Sequence, residues 1–221
     1  MSETDSFINE VTEEVRRDQL YGYLRRYAWI AVVVVLGAVG YTAWNEYSKA
    51  TTAAAAQAKG DAVLSALEAG DAAAQAEALS QVDAGEAAQI VALRRAGALV
   101  EAGDTAAAVT LYNEVATSAD PVYAELAILK AVILQGQAMA PADRLAALEP
   151  LSTPGAPYRP LALEQMAIAE MDAGDNDAAI ARLTDLIQDS EATDNQRSRV
   201  GQLLVALGGQ LPDLTELLSG G

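Results

Sequence analysis

The chain has 221 residues, of which 52% are hydrophobic and only 5% aromatic, and it carries a formal net charge of -17. It contains no cysteine and no histidine, which excludes disulfides, thiolate nucleophiles, histidine general bases and the common zinc sites. The negative charge argues against a nucleic-acid partner, because nucleic acids are met by basic surfaces. Alanine dominates the apolar residues, which favours closely packed helices, and we therefore expect an all-α protein.

The N-terminal segment, residues 1–26, has apolar residues at three- and four-residue steps. They are Phe7, Ile8, Val11, Val15, Leu20 and Leu24, and Tyr27 continues the series. This spacing predicts a helix with one apolar side, capped by Asp5 or Ser6. Two interpretations stay open: a cytoplasmic helix that rests on the bilayer or on a partner, and a mobile tail that carries sorting charges.

An uncharged stretch, YAWIAVVVVLGAVGYTAWN, follows at residues 27–45. As a helix it would span roughly 28 Å, close to the bilayer hydrocarbon core of about 30 Å. Aromatic side chains that favour the headgroup region mark its two ends, and we expect them to be membrane-interface anchors. They are Tyr27, Trp29, Tyr41, Trp44 and Tyr47. The stretch predicts a transmembrane helix over residues 27–46, followed by a juxtamembrane helix or linker over residues 47–59.

The flanking charges predict the orientation of this span. Four arginines precede it, namely Arg16, Arg17, Arg25 and Arg26, whereas only Lys49 and Lys59 follow it closely. By the positive-inside tendency the N terminus is cytoplasmic and the rest of the chain lies across the membrane. The alternative is a cleaved signal peptide, with Ala53 to Ala56 offering small residues to a peptidase, but the long acidic leader argues against it.

Glycines recur at a nearly constant interval in the remaining chain, residues 60–221. Gly70, Gly103 and Gly136 are 33 residues apart, and Gly174 follows 38 residues later. This interval is close to the roughly 34-residue period of helix-turn-helix repeats. The turns read EAGD at Glu68–Asp71 and at Glu101–Asp104, and DAGD at Asp172–Asp175.

Segments of helical periodicity flank these glycines, and each apolar set is expected on one side of its helix. Around Gly103 the sets are Ile90, Leu93, Ala96 and Val100, then Ala108, Leu111, Tyr112 and Val115. Around Gly136 the set is Val122, Leu126, Leu129 and Ile133, after which Pro141 opens a helix to Glu149. Around Gly174 the sets are Leu163, Met166 and Ala167, then Ile180, Leu183 and Ile187. A last helix carries Val200, Leu203, Leu204 and Leu207 and stops at Gly208 and Gly209.

The paired residues Gly-Asp have a structural explanation as repeat turns. Glycine ends a helix in a conformation with positive φ that other residues avoid, and the following aspartate caps the next helix. The turn residues are Gly70 and Asp71, Gly103 and Asp104, Gly136, and Gly174 and Asp175. Gln137 stands where the aspartate would follow Gly136.

These residues resemble the tetratricopeptide repeat. The best-matching unit runs from Ala96 to Pro121, with the Gly-Asp turn, Ala108-Val109 and Tyr112 at nearly the family's spacing. The Gly174 unit matches through Ala167, Ala179-Ile180 and Leu183, while the Gly70 and Gly136 units diverge beyond the turn. The resemblance implies a right-handed α-solenoid of helix-turn-helix pairs after the membrane helix.

The layout of one N-terminal span before an acidic, alanine-rich repeat domain also resembles the YfgM-like ancillary subunits of the bacterial Sec translocon. That resemblance implies a single-pass inner-membrane protein whose repeat domain faces the periplasm. It further implies partners among the Sec translocon subunits and a periplasmic chaperone, and a role in assisting protein export. The alternative is a structural accessory subunit of another inner-membrane complex, respiratory or envelope.

A metal or catalytic site is a second interpretation of the acidic turns. A calcium-binding loop of the EF-hand kind requires a glycine at its sixth position and a glutamate at its twelfth. Counted from Asp172, these positions hold Asp177 and Leu183. Counted from Asp175, they hold Ile180 and Leu186, so neither register fits. Nothing in the sequence encloses two carboxylates for acid-base work. We therefore expect no enzyme, no cofactor or metal, and no small-molecule substrate.

The middle helices contain three basic residues that are candidate partner contacts, namely Arg94, Arg95 and Lys130. Arg94 and Arg95 point about 100° apart around a helix and do not form an obvious fork. Ordinary solvated side chains are the alternative interpretation.

Overall fold

The computed structural model describes the backbone of residues 3–118 and 120–212, and within them the side chains from residue 25 onward except those of Ala31 and Ser118. All regular structure in these residues is helical, which confirms the all-α class. The α-helices are α1 Glu3–Leu67, α2 Ala72–Ser80, α3 Ala88–Glu101, α4 Thr105–Ser118, α5 Pro121–Gln135, α6 Pro141–Leu148, α7 Arg159–Ala173, α8 Asn176–Gln188 and α9 Asp194–Ala206. Short 3-10 turns occupy Gly85–Ala87, Gly136–Ala138 and Glu149–Ser152.

The chain divides into two compact units, residues 1–58 and residues 59–221. The first unit consists of the greater part of α1. Its apolar helical stretch is long and hydrophobic enough to cross a membrane, and none of the side chains in that window is buried. The side chains of Arg16, Arg17 and the predicted apolar series from Phe7 to Leu24 lie outside the described residues.

The second unit contains the end of α1 and helices α2 to α9, and its core is a series of four apolar clusters. The first joins Ala66 to Leu79 and Val91, and the second packs α3, α4 and α5 around Tyr112. The third joins α5 and α6 to α7, and the last packs α7, α8 and α9 around Leu183 and Leu204. Each cluster shares a helix with its neighbour, so the core continues from one helix pair to the next, as in a solenoid.

Alanine permits the close packing of these helices. Ala96, Ala108, Ala127, Ala167 and Ala179 are each 0% exposed. A buried alanine adds little bulk and loses no side-chain rotamer entropy, so two backbones approach closely without a cavity between them. This explains how a chain with few aromatic residues still forms a continuous core.

The predicted apolar faces are right for some helices and wrong for others. In α4, Ala108, Tyr112 and Val115 are buried as expected. In α3 and α5, however, Ile90 and Ile133 are each 50% exposed. The buried residues are Val91, Ala96 and Ala98 in α3, and Ala127, Leu129, Ala131 and Val132 in α5, so only Ala96 and Leu129 belong to the predicted sets.

Candidate functional site

The turn between α3 and α4 shows what the repeated Gly-Asp pair does. Gly103 has a φ of +84°, and its N–H donates to the carbonyl of Val100 at 3.0 Å. The N–H of Asp104 reaches back to the carbonyl of Leu99 at 2.9 Å, which completes a Schellman cap on α3. The Asp104 side chain then accepts the N–H of Ala107 at 3.0 Å and caps α4. One aspartate therefore ends one helix through its backbone and starts the next through its carboxylate.

The turn between α7 and α8 repeats this arrangement. Gly174 has a φ of +79°, the N–H of Asp175 donates to the carbonyl of Glu170 at 2.9 Å, and the Asp175 carboxylate accepts the N–H of Ala178 at 3.2 Å. The carboxylates of these turns are thus used to cap helices. Among the described residues, no group of three or more acidic, histidine or cysteine side chains is arranged to hold a metal ion.

Two of the four turns depart from the expected geometry. Asp71 caps α2 by accepting the N–H of Ala74 at 2.9 Å, but the φ of Gly70 is not positive. Gly136 has a φ of +47° and opens a 3-10 turn, after which α6 starts at Pro141 without a side-chain cap. The absence of an aspartate at Gln137 agrees with this different turn, because no carboxylate is present there to begin a helix at once.

Helix α7 is the centre of an ion-pair network that sequence reasoning missed. Three of its carboxylates are bound by arginines of three neighbouring helices. Arg199 of α9 binds Glu164 through two nitrogens at 2.9 and 3.1 Å, Arg182 of α8 binds Glu170, and Arg144 of α6 binds Asp172 at 2.6 Å. The two partners in these pairs are 35, 12 and 28 residues apart in sequence, so no local pattern indicates them.

The Arg144–Asp172 pair is the most enclosed on the arginine side, since the Arg144 side chain is only 4% exposed and that of Asp172 is 24% exposed. The hydrogen bond from Arg144 lowers the pKa of Asp172, a hydrogen bond from Gln137 at 3.1 Å acts in the same direction, and partial burial opposes both. Asp172 therefore belongs to an ion pair that joins α6 to α7.

A cleft between α7 and α8 has a volume of about 390 Å³. It is lined by Arg159, Arg182, Asp185 and Asp189 among others. Its two arginines are already bound within the chain, because Arg182 contacts Glu170 and Arg159 donates to Asp189 at 2.6 Å and to Glu191 at 3.0 Å. The two arginines of this cleft are thus paired with carboxylates of the chain itself.

The three basic candidate contacts are not brought together as one clamp. Arg94 donates hydrogen bonds to Glu101 at 3.3 Å and to Gln75 at 3.4 Å. Arg95 lines a separate cleft of about 240 Å³ with Leu99 and Glu114, and its buried Nε has no hydrogen-bond partner among the described residues. Lys130 is exposed on α5. The arrangement gives no shared site for a terminal carboxylate.

Hydrogen bonds link the N-terminal ends of the first helices of the repeats in two pairs, α3 with α5 and α7 with α9. The N–H of Asp120, just before α5, donates to Gln89 of α3 at 3.3 Å. Likewise Gln196 of α9 donates to the carbonyl of Pro160 in α7 at 2.7 Å. The first turns of these helices carry exposed aliphatic side chains, with Ile90 at 50%, Val122 at 44% and Leu161 at 41%. We call these three residues the aliphatic row.

The apolar stretch of the first unit presents a second exposed hydrophobic surface. Val34 and Leu36 in its middle are 63% and 65% exposed. The expected interface anchors are exposed to a similar degree, with Tyr27 at 52%, Trp29 at 63%, Tyr41 at 67%, Trp44 at 68% and Tyr47 at 69%. An exposed apolar surface of this extent is typical of a site that contacts a membrane or another protein.

Comparison with protein families decides the classification. The model of the tetratricopeptide repeat-like domain matches residues 21–155, which is more than half of the chain. The chain belongs to the tetratricopeptide repeat-like domain family. The match includes the α3–α4 and α5–α6 pairs, whereas α7 to α9 follow the same helix-turn-helix plan beyond its end. No curated protein and no solved structure matches the chain.

Membership of the tetratricopeptide repeat-like family indicates a protein-protein interaction module. Such domains bind through surfaces formed by stacked helix pairs, and stacking is what the four shared core clusters of this chain produce. The family is typically non-catalytic, in agreement with turns whose carboxylates cap helices.

Proposed function

We propose that this protein is a membrane-tethered interaction module that assists protein export at the Sec translocon together with a periplasmic chaperone. The observation that carries the tether is the apolar stretch of residues 27–45, in which every described side chain except that of Asn45 is exposed. Exposure of apolar surface to water costs about 25 cal/mol for each Å². Transfer of this helix into lipid is therefore favourable. The repeat domain supplies the binding surface.

Tethering itself provides part of the mechanism. One span confines the repeat domain to the surface of the membrane, so that a client or chaperone at the export site meets it at a high effective concentration. Weak contacts are then sufficient for association. In the proposed orientation the arginines that precede the span are cytoplasmic and the repeat domain is periplasmic, next to emerging chains.

Affinity purification of the full chain in mild detergent, followed by mass spectrometry, tests this proposal. We expect Sec translocon subunits and a periplasmic chaperone in the eluate. A matched fragment of residues 59–221 keeps the repeat domain and lacks the span, and it should recover the chaperone weakly and the translocon not at all. If the full chain instead recovers the subunits of a respiratory or envelope complex, the protein is an accessory subunit of that complex and the export role is wrong.

A further inference from the structure

The two clefts described above lie at equivalent positions of two repeats, one between α3 and α4 and the other between α7 and α8. Five lining positions, counted from Gly103 and Gly174, are shared: four residues before the glycine, and four, seven, eight and eleven residues after it. They hold Leu99, Ala107, Thr110, Leu111 and Glu114 in the first cleft, and Glu170, Ala178, Ala181, Arg182 and Asp185 in the second. Because both glycines close the same kind of turn, the cleft is a feature of the helix-turn-helix unit.

The two clefts differ in how their walls are joined. In the α7–α8 cleft, Arg182 of α8 donates to Glu170 of α7 at 3.0 and 3.1 Å, so an ion pair connects the two helices. The equivalent positions of the α3–α4 cleft hold Leu111 and Leu99, which pack against the second core cluster. The α3–α4 cleft therefore has an apolar floor where the α7–α8 cleft has an ion pair.

Arg95 adds a cation to the α3–α4 cleft without an acceptor for it. It lies one turn before Leu99 on α3, and its side chain makes no hydrogen bond and no ion pair with the described residues. Its Nε is buried, whereas its terminal nitrogens are not. A buried donor that lacks an acceptor destabilises the fold, and a native protein seldom retains one without a reason.

Arg95 is exceptional among the basic residues of the repeat domain. Residues 59–221 contain nine of them, and Lys130 is exposed to water. Seven others are in ion pairs, namely Lys59, Arg94, Arg144, Arg159, Arg182, Arg197 and Arg199. Within the described part of this range, Arg95 is thus the one basic side chain that is partly buried and has no acceptor.

The charges around the cleft indicate which acceptor suits Arg95. Glu114 lines the wall opposite, and residues 59–221 contain 24 acidic residues against nine basic ones, so a carboxylate from a partner would be repelled. A peptide group is neutral and offers a carbonyl acceptor beside an N–H donor, which matches an arginine on one wall and a glutamate on the other. The apolar floor of Leu99, Ala107 and Leu111 favours an aliphatic side chain on the same segment.

We infer that the α3–α4 cleft binds an extended, uncharged segment of the client: one leucine-like side chain packs on Leu99 and Leu111, and Arg95 donates to a main-chain carbonyl beside it. Main-chain carbonyls are common to all sequences, so this contact tolerates many clients and selects only for the aliphatic side chain. The inference rests on the proposed function and specifies the chemistry that is recognised, namely main chain with an aliphatic side chain, as opposed to a terminal or side-chain carboxylate.

The test uses the full chain in lipid nanodiscs and a short serine-glycine peptide, blocked at both ends, with photo-leucine at its centre. Irradiation followed by mass spectrometry should map the adducts to the lining of the α3–α4 cleft. Competing peptides carry leucine, alanine, or leucine next to glutamate at the centre. The leucine peptide should compete at about tenfold lower concentration than the alanine peptide, the factor that 1.4 kcal/mol supplies. The glutamate peptide should compete no better than the leucine peptide.

A matched pair of arginine variants tests the polar contact. Arg95→Met should lower the affinity for the leucine peptide about tenfold, because a hydrogen bond from a charged donor is lost. The control Arg94→Met removes an equal charge from the neighbouring exposed residue, which does not line the cleft, and should leave the affinity unchanged. Arg95→Met also removes a buried donor without an acceptor, so it should melt at or above the temperature of the original chain, which separates lost binding from lost folding.

Four results would overturn the inference: adducts outside the cleft, equal competition by the leucine and alanine peptides, stronger competition by the glutamate peptide, or an effect of Arg94→Met as large as that of Arg95→Met. Copurification judges the export role separately. If the original chain recovers translocon subunits but the peptide does not label the cleft, only the cleft assignment is wrong. If the peptide labels the cleft and no translocon subunit is recovered, the export role is wrong and the cleft assignment stands.

Discussion

Replacing Asp172 by asparagine tests the ion-pair network around α7. The substitution keeps the shape of the side chain and leaves Arg144, which is 4% exposed, without its counter-charge. Breaking a buried pair by removing one partner costs about 3 to 5 kcal/mol. The Asp172 side chain is 24% exposed, so water solvates part of the site, and we take about 2 to 3 kcal/mol as the loss in the free energy of unfolding.

For a domain of this size, a loss of 1 kcal/mol lowers the Tm by about 2 to 4 °C. We therefore expect Asp172→Asn to lower the Tm by about 5 to 10 °C at pH 7, measured on the full chain in detergent by circular dichroism and calorimetry. The control is Asp177→Asn, an exposed aspartate on the first turn of α8, which should change the Tm by less than about 1 °C.

The same variant has a characteristic pH dependence. The pKa of Asp172 is lowered in the folded protein, chiefly by the hydrogen bond from Arg144, so the unfolded chain takes up a proton at a higher pH than the folded one. The pair's stabilisation is complete above the unfolded pKa of about 3.9 and disappears as pH falls through the lower folded value. The Tm difference between the original chain and Asp172→Asn should therefore shrink at pH 3. A difference that is absent at pH 7, or that is as large at pH 3, would refute the reasoning.

Three further predictions follow from the turns and from the apolar helix. Gly103→Ala should lower the free energy of unfolding by about 1 to 2 kcal/mol, because φ is +84° there. The control Gly70→Ala lies at a turn without positive φ and should be nearly neutral. Equal losses of stability for the two variants in thermal melts would contradict the role of the turn. Val34→Asp, in the middle of the apolar stretch, should reduce the fraction that resists carbonate extraction, because a central charge costs about 3 kcal/mol, and Thr52→Asp should not. Because the chain has no cysteine, Ser190→Cys gives a single site for labelling in the repeat domain. A membrane-impermeant maleimide should label this cysteine in intact spheroplasts. Labelling only after lysis would show that the domain is cytoplasmic and would contradict the predicted orientation.

The helix pairs were predictable from the sequence because their signals are local. The hydrogen bonds of Gly103 and Asp104 all lie within nine residues of chain, from Leu99 to Ala107. The conformation of such a motif is determined by neighbouring residues, so its recurrence in the sequence indicates the repeat before any tertiary contact is known. Gly70 shows the limit, because the same four letters form a turn without positive φ.

The exposed face of the first helices was not predictable in the same way. Periodicity places Ile90 and Val100 on one side of α3 but does not say which side is covered. In the structure Val91, Ala96 and Ala98 are the buried residues of α3, whereas Ile90 is 50% exposed. In an alanine-rich solenoid a large aliphatic residue is therefore no reliable sign of the core.

The ion pairs around α7 depend on contacts between residues far apart in sequence. Glu164 meets Arg199 across 35 residues, and Asp172 meets Arg144 across 28. Neither pair belongs to a short motif, so sequence reasoning selected Arg94, Arg95 and Lys130, the basic residues of the middle helices.

Site-specific photo-crosslinking in cells tests most directly the claim that a tethered repeat domain binds the export partner. A photoreactive amino acid is placed at Val122 in the aliphatic row, at exposed Ala146 on α6 as a surface control, and at Val34 in the apolar stretch. Our account predicts crosslinks from Val122 to exported chains or to a periplasmic chaperone, with none of these from Ala146. Crosslinks to membrane subunits from Val34, with none from Val122 or from Ala146, would contradict this account. The repeat domain would then have no role in binding.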